Sequence, residues 1–211
     1  MRRFLILLAL AGVSVAVVVG AGAFVFWDVY WRWQPKTVTK DHAEIIQALD
    51  QSGWVSPHLT GPHLYVIVYR DCAACVAFEQ AEFPRLQAAG VDTRVIVVAR
   101  PDSSTPAERT TVAELWTNRS WKLFQQWSLA PPQGWTAQGL PPADGDAART
   151  AVIGVGRSLV GDLTSQLKDN GVRFAYPMLI WPVRGKADQL RACACEDPRS
   201  YRDIAKEFGP T

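Results

Sequence analysis

The stretch from His63 to Arg85 constrains this 211-residue chain more than any other. The run Leu64-Tyr65-Val66-Ile67-Val68-Tyr69, rich in β-branched and aromatic residues, reads as a buried strand that halts at Arg70-Asp71. Cys72-Ala73-Ala74-Cys75 then opens a run in which Val76, Phe78, Phe83 and Leu86 follow a helical spacing. A cysteine at the first turn of a helix meets unpaired N–H groups and the positive end of the dipole, which favour its thiolate over its thiol. A fall in the Cys72 pKa from about 8.5 to about 7 would raise the nucleophilic fraction at neutral pH from roughly 3 % to roughly half. Cys75 follows about one helical turn later and can close a disulfide onto Cys72, so that one sulfur attacks and the other resolves. A zinc site of this spacing normally brings a second close pair and has no reason to follow a buried strand. The context therefore favours a redox pair over a zinc or copper site or an inert structural pair.

Composition narrows the function classes. A chain that is 48 % hydrophobic and 20 % charged is long enough for one well-buried domain plus an appendage. Its 22 basic and 20 acidic residues leave a net charge of +2 with no basic cluster, so nucleic acid is not a favoured partner. Nine Trp and fourteen Pro suit an aromatic-rich surface and long ordered loops. The four Cys fall as two tight pairs, which points to dithiol chemistry rather than a disulfide framework.

Met1-Arg2-Arg3 precedes an uncharged run of 24 residues, Phe4 to Trp27. At about 1.5 Å per residue this spans a bilayer core of about 30 Å. The leading arginines and the trailing Trp27, Tyr30, Trp31 and Trp33 match a cytoplasmic basic flank and an interfacial aromatic belt. Residues 1–33 are therefore expected to form a transmembrane anchor and residues 34–211 an extracytoplasmic domain. The alternative is a cleaved signal peptide, with Ala21-Gly22-Ala23 as its small-x-small site; the apolar residues that continue past it favour the anchor. Either outcome delivers the domain to an oxidising compartment, where cysteine pairs persist as disulfides.

Along the domain, residues 34–39 read as a linker. Asp41 and Glu44 form a capping-box pattern for a helix through Ala43, Ile46 and Leu49 that ends near Gly53. His42, His58 and His63 have no neighbours in sequence that would give them a chemical role. Gly90 ends the helix begun at Cys72, which Pro84 is expected to kink, and Asp92 to Val98 forms a second strand. Two strands joined by a crossover helix imply parallel pairing. From residue 103 to 170 the pattern is helical: Thr105-Pro106 starts one helix, Trp121, Phe124 and Trp127 continue or restart it, and Ala147 to Leu167 forms another. Asn118-Arg119-Ser120 has glycosylation spacing but reads as an ordinary helix segment. Gly154-x-Gly156 with Gly161 lacks the spacing and the preceding strand of a dinucleotide site. After Tyr176-Pro177 come a strand Met178 to Trp181, a turn at Arg184-Gly185-Lys186, a strand Gln189 to Cys195, and a terminal helix capped at Asp197-Pro198.

In that order, from Leu64 to Phe208, these parts resemble the thioredoxin superfamily, and the helical insertion resembles its bacterial periplasmic Dsb-type members. The resemblance implies an α/β, thioredoxin-like fold with a helical insertion. It also implies a cis peptide bond at Pro177 packed against the dithiol. In the corresponding mechanism Cys72 attacks a substrate disulfide, Cys75 resolves the mixed disulfide, and Pro177 with the Tyr176 backbone aligns the substrate strand. The implied protein is a thiol:disulfide oxidoreductase, single-pass in the inner membrane with its domain in the periplasm. It would act on protein thiols and disulfides, exchange electrons with a membrane redox partner, and need neither cofactor nor metal. Two features depart from the family pattern. Ala73-Ala74 lacks the Pro or His found between the cysteines in several relatives, which leaves the direction of electron flow open. The family's acidic residue beneath the dithiol has no clear counterpart, since Asp71 is too close to Cys72. A copper-handling protein and a non-catalytic binding module are the competing classes.

Cys193-Ala194-Cys195 is the remaining motif. Residues at i and i+2 of a strand share a face, so the two sulfurs can meet, although fully extended backbone would set their Cα atoms about 6.6 Å apart, near the upper limit for a disulfide. By the family topology this strand runs parallel to the Leu64 strand and ends at the same sheet edge as Cys72. The pair is then either a second redox site near the first or a local structural unit.

Overall fold

The structure is a computed structural model that describes residues 18–27 and 32–209. The chain divides into two units, Met1–Gln34 and Pro35–Thr211. In the first, residues 18–26 are helical and the Arg32 guanidinium lies over the Trp33 ring, 4.6 Å from its centre. The first part of the expected anchor, residues 4–17, lies outside the described residues, and among the described residues no helix is long and apolar enough to cross a membrane.

The second unit is built on a five-stranded mixed sheet. Its elements are β1 (Lys36–Val38), α1 (His42–Gln51), β2 (His63–Val68), α2 (Ala73–Ala88), β3 (Asp92–Val97), α3 (Pro106–Asn118), α4 (Trp121–Leu129), α5 (Ala147–Asp169), β4 (Met178–Val183), β5 (Lys186–Ala194) and α6 (Tyr201–Phe208). The strand order is β1-β5-β4-β2-β3. β2 and β3 are parallel, as a crossover through α2 requires, while β4 is antiparallel to both β2 and β5. Two reversals make β5 parallel to β2, so both strands end at the same edge.

Strand alternation sorts the core into two layers. Val66, Val68, Leu179, Trp181, Cys193 and Cys195 face α2 and α6. Tyr65, Ile67, Met178, Ile180 and Ala192 face α1 and the second half of α5. The helical segment between β3 and β4 is fastened to the carboxyl end of the parallel strands. Trp116 Nε1 donates to the Val97 carbonyl at 2.8 Å and Arg157 Nε to that of Ala99 at 2.9 Å. α2 runs unbroken through Pro84 and closes with Gly90 at φ +80°, the Val91 N–H bonding back to the Leu86 carbonyl and the Gly90 N–H to that of Gln87.

Four local expectations are corrected. The stretch taken for a linker contains β1, which pairs antiparallel with β5; three residues at an edge are too few for any periodicity to register. Asp41 does not build a capping box, because its backbone is left-handed (φ 54°) and its side chain caps nothing. Asn170, across the domain, instead accepts from the Thr39 and Lys40 N–H groups at 3.0 Å each. The α1 face that packs is Ile45 and Leu49, with Ala43 exposed. Asp197 caps a 3-10 turn, Pro198–Ser200, and α6 follows it.

Candidate active site

β2 delivers the chain to the sheet edge at Val68, and Tyr69-Arg70-Asp71 turns it into α2. Cys72 is the N-cap residue, with extended backbone (φ −88°, ψ 101°), and its Sγ accepts from the Cys75 N–H at 3.1 Å. That contact is the one a thiolate would use, a helix-terminal N–H aimed at the sulfur. Cys72 and Cys75 form a disulfide, with Cα atoms 5.1 Å apart. They are 4 % and 1 % exposed. A cleft of about 770 Å³ opens beside Cys72, between the first turns of α2 and the end of α4. Its wall carries Val76, Glu79, Trp127 and Leu129, and Leu129 is 84 % exposed. Val76, placed on the core face by its spacing, instead lines the cleft.

The cleft is held by Arg70. Its guanidinium donates to the carbonyls of Trp127 and, at 2.6 Å, Ala130, and lies 4.8 Å from the centre of the Trp127 ring. Two carbonyls at the C-terminal end of α4, one of which also accepts from the Ala130 N–H, thereby gain a cationic donor. Burial on the cleft wall pushes the Glu79 carboxyl up to about 7, with Arg70 pulling the other way. Burial also raises Glu108, whose shift the Asp71 carboxylate increases and Arg100 and Arg70 oppose. A carboxyl that ionises near neutrality thus shares the cleft with Cys72.

The Tyr176–Pro177 peptide bond is cis. The Tyr176 ring meets Tyr69 edge-on at 4.9 Å and Phe174 at 5.2 Å, and burial, with Tyr69 beside it, pushes its hydroxyl up to about 12. Tyr69 in turn lies under the Arg100 guanidinium, 4.1 Å away. The loop carrying Pro177 is therefore stitched to the segment that leads into Cys72. On its other side the Pro177 carbonyl accepts from the Cys195 N–H at 3.0 Å. Cys193 and Cys195 form a second disulfide with Cα atoms 5.2 Å apart, well inside the usual range, where extended backbone would have given a longer span.

All four cysteines lie in the same hydrophobic cluster, and Tyr176 packs against it. The histidines lie elsewhere. His63 Nε2 is 3.1 Å from Arg94 at the opposite end of β2, His58 sits in the preceding loop beside Ser56, and His42 Nδ1 is 3.0 Å from the Thr39 carbonyl. Among the described residues no group of three or more His, Cys, Asp or Glu side chains is arranged to hold a metal ion. Sequence reasoning missed Glu79, Arg70 and Trp127. Glu79 had a readable signal, standing seven residues after Cys72 and four after Cys75, on the helix face both share. Arg70 and Trp127 had none, because 57 residues separate them.

No protein-family model matches the sequence, and no curated protein is significantly similar to it. Among solved structures, the chain superposes on the crystal structure of BcfH from Salmonella enterica Typhimurium with a TM-score of 0.52 and 13 % identity, over 97 % of this chain and 93 % of that one. The crystal structure of DsbA from Chlamydia trachomatis matches at a TM-score of 0.37 and 17 % identity, over 72 % of this chain and 87 % of its own. The first likeness is one of fold; the second is too loose to carry an argument. Together with the strand order, the helix opening at Cys72 and the cis bond before β4, the shared architecture is a thioredoxin-like fold with a helical insertion.

Proposed function

We propose that this protein is an extracytoplasmic thiol:disulfide oxidoreductase that acts on exported proteins through Cys72 and Cys75. The observation that carries the reading is the Cys72–Cys75 disulfide at the N-cap of α2, with a helix N–H on the Cys72 sulfur and an open cleft alongside. In the reducing direction the Cys72 thiolate attacks one sulfur of a substrate disulfide. A Cys72–substrate bond forms and the other substrate sulfur leaves as thiolate and takes a proton. Cys75, deprotonated, then attacks Cys72 Sγ, restoring the Cys72–Cys75 disulfide and releasing the second substrate thiol. The oxidising direction is the same path reversed. Pro177 and the Tyr176 backbone are assigned the alignment of the substrate strand, supported by the cis bond and by the Tyr69–Tyr176 contact that ties their loop to the cysteine segment. Exposed Val76 and Leu129 on the cleft wall suit an apolar stretch of unfolded polypeptide.

The uncharged run Phe4–Trp27 supports export and retention by an N-terminal membrane anchor, with the domain on the periplasmic side, where it would meet a membrane redox partner. Edman sequencing of the mature protein tests retention, since a sequence starting at Phe24 would instead show a cleaved signal peptide. The site itself is tested by substrate trapping. The Cys75→Ala protein is expected to accumulate a mixed disulfide through Cys72, and the Cys72→Ala protein none through Cys75. Trapping in the opposite pattern would exchange the two roles, and trapping in neither would remove the reading.

A further inference from the structure

We propose that Cys193–Cys195 is a second redox centre whose exchange partner is Cys72 of the same chain, so that electrons reach the buried pair only through the first dithiol. The inference rests on the redox reading of Cys72–Cys75 and adds to it an internal electron store. Register carries the argument. Val66 pairs with Leu179 and Leu179 with Cys193, one row across β2, β4 and β5. The next row on that face holds Val68, Pro177 and Cys195, its last link being the Cys195 N–H on the Pro177 carbonyl at 3.0 Å. Two strand spacings of about 4.8 Å place Cys195 about 10 Å from Val68, at the edge where the chain turns into Cys72 four residues later. Cys193 and Cys195 face α2, whose first turn carries Cys72 and Cys75, and both pairs belong to one hydrophobic cluster.

Burial supplies the second half. Cys193 (4 % exposed) and Cys195 (0 %) are as buried as Cys72 and Cys75, but of the four only Cys72 lines the open cleft, so a dissolved thiol has an approach to the first pair and not to the second. A bridge across a single residue also closes too short a loop to restrict the unfolded chain much, which leaves a staple little to do. In the transfer, the Cys72 thiolate attacks one sulfur of the Cys193–Cys195 disulfide. That S–S bond breaks, a bond from Cys72 to that sulfur forms, and the other sulfur leaves as thiolate and is protonated. The Cys75 thiolate then attacks Cys72 Sγ, forming the Cys72–Cys75 disulfide and releasing the second thiol. Two electrons and two protons pass from the first pair to the second, and the external reductant that reloads the first pair is a thiol.

The test is a time course on the full-length oxidised protein in reduced glutathione, quenched by alkylation and read by peptide mass mapping. In the wild-type protein Cys72–Cys75 is expected to open first and Cys193–Cys195 after it. In the Cys72→Ser protein Cys193–Cys195 should open at least about tenfold more slowly, at the rate of local unfolding. A Cys75→Ser protein, which keeps the nucleophile but cannot resolve, should accumulate a bond from Cys72 to Cys193 or Cys195 within one chain, at a yield independent of protein concentration. Opening of Cys193–Cys195 at equal rates with and without Cys72 overturns the relay. So does a Cys193–Cys195 bond that stays closed while Cys72–Cys75 opens, and in both cases the proposed activity stands. A Cys72–Cys75 bond that glutathione never opens would remove that activity and the relay with it.

Discussion

At the scale of residues, the chemistry reduces to where four sulfurs and a few charges sit. Cys72 is the N-cap of α2, and under the proposed function that position assigns it the attacking role. Cys72→Ala is therefore expected to abolish insulin reduction, while a conservative change at exposed Asp188, outside the cleft, leaves it intact. Glu79 makes a separate prediction with a definite sign. Its folded-state pKa is raised from 4.5 to about 7, so between those values the folded protein holds a proton that the unfolded chain has lost. Stability must then fall as pH rises from about 5 to about 8, by on the order of 2 to 3 kcal/mol from this group. Glu79→Gln removes that loss. Urea unfolding at the two pH values should show the variant gaining on the wild type at the higher pH, and an equal difference at both would contradict the assignment. The N-cap position of Cys72 was legible in the sequence because a strand-to-helix junction is a local signal. Glu79 lay on a readable helix face, but the cleft it shares with Trp127 and the end of α4 is one that no local pattern announces.

At the scale of elements, strand, Cys-x-x-Cys and helix were readable because the apolar period changes from two to about 3.6 across two polar residues. β1 was not readable, being three residues whose only reason to be extended is the partner strand β5. The caps divide the same way. Thr105 bonds the N–H group three residues on, as its sequence suggests, whereas Ser120, read as part of a helix, caps α4, and the start of α1 is fixed by Asn170 from far along the chain. Arg70 is the joint between β2 and the inserted helices. Arg70→Ala should strip two carbonyls of α4 of a charged donor and cost about 1.5 to 3 kcal/mol, read as a lowered urea midpoint with a slower reductase rate. Gly53 is a second joint, since a Cβ there would stand 2.4 Å from the Trp116 ring and 2.6 Å from its Cα. Gly53→Ala is expected to cost about 1 to 3 kcal/mol by forcing α3 outward. A loss below a few tenths would mean that α3 does not pack there.

At the scale of the whole molecule, the topology brings two separate cysteine motifs to one edge of the sheet. β4 reverses between β2 and β5, so the two cysteine strands run the same way and deliver both pairs to one edge and one face. Residues 35–211 form a compact unit of their own, and under the proposed function they are expected to fold and keep reductase activity without residues 1–34, while the full-length protein is expected to sediment with membranes. Activity lost on removing residues 1–34 from a correctly folded domain would show that the first unit takes part in the chemistry. The central claim is that Cys72–Cys75 is a reversible redox couple rather than a structural bridge. Its most direct measurement is the equilibrium between disulfide and dithiol for this pair across graded glutathione buffers, with each cysteine located by mass mapping. A reversible transition is expected, with a midpoint between about −120 and −270 mV, the span of dithiol oxidoreductases. A Cys72–Cys75 bond that stays closed in buffers down to about −300 mV, where structural disulfides lie, would contradict it.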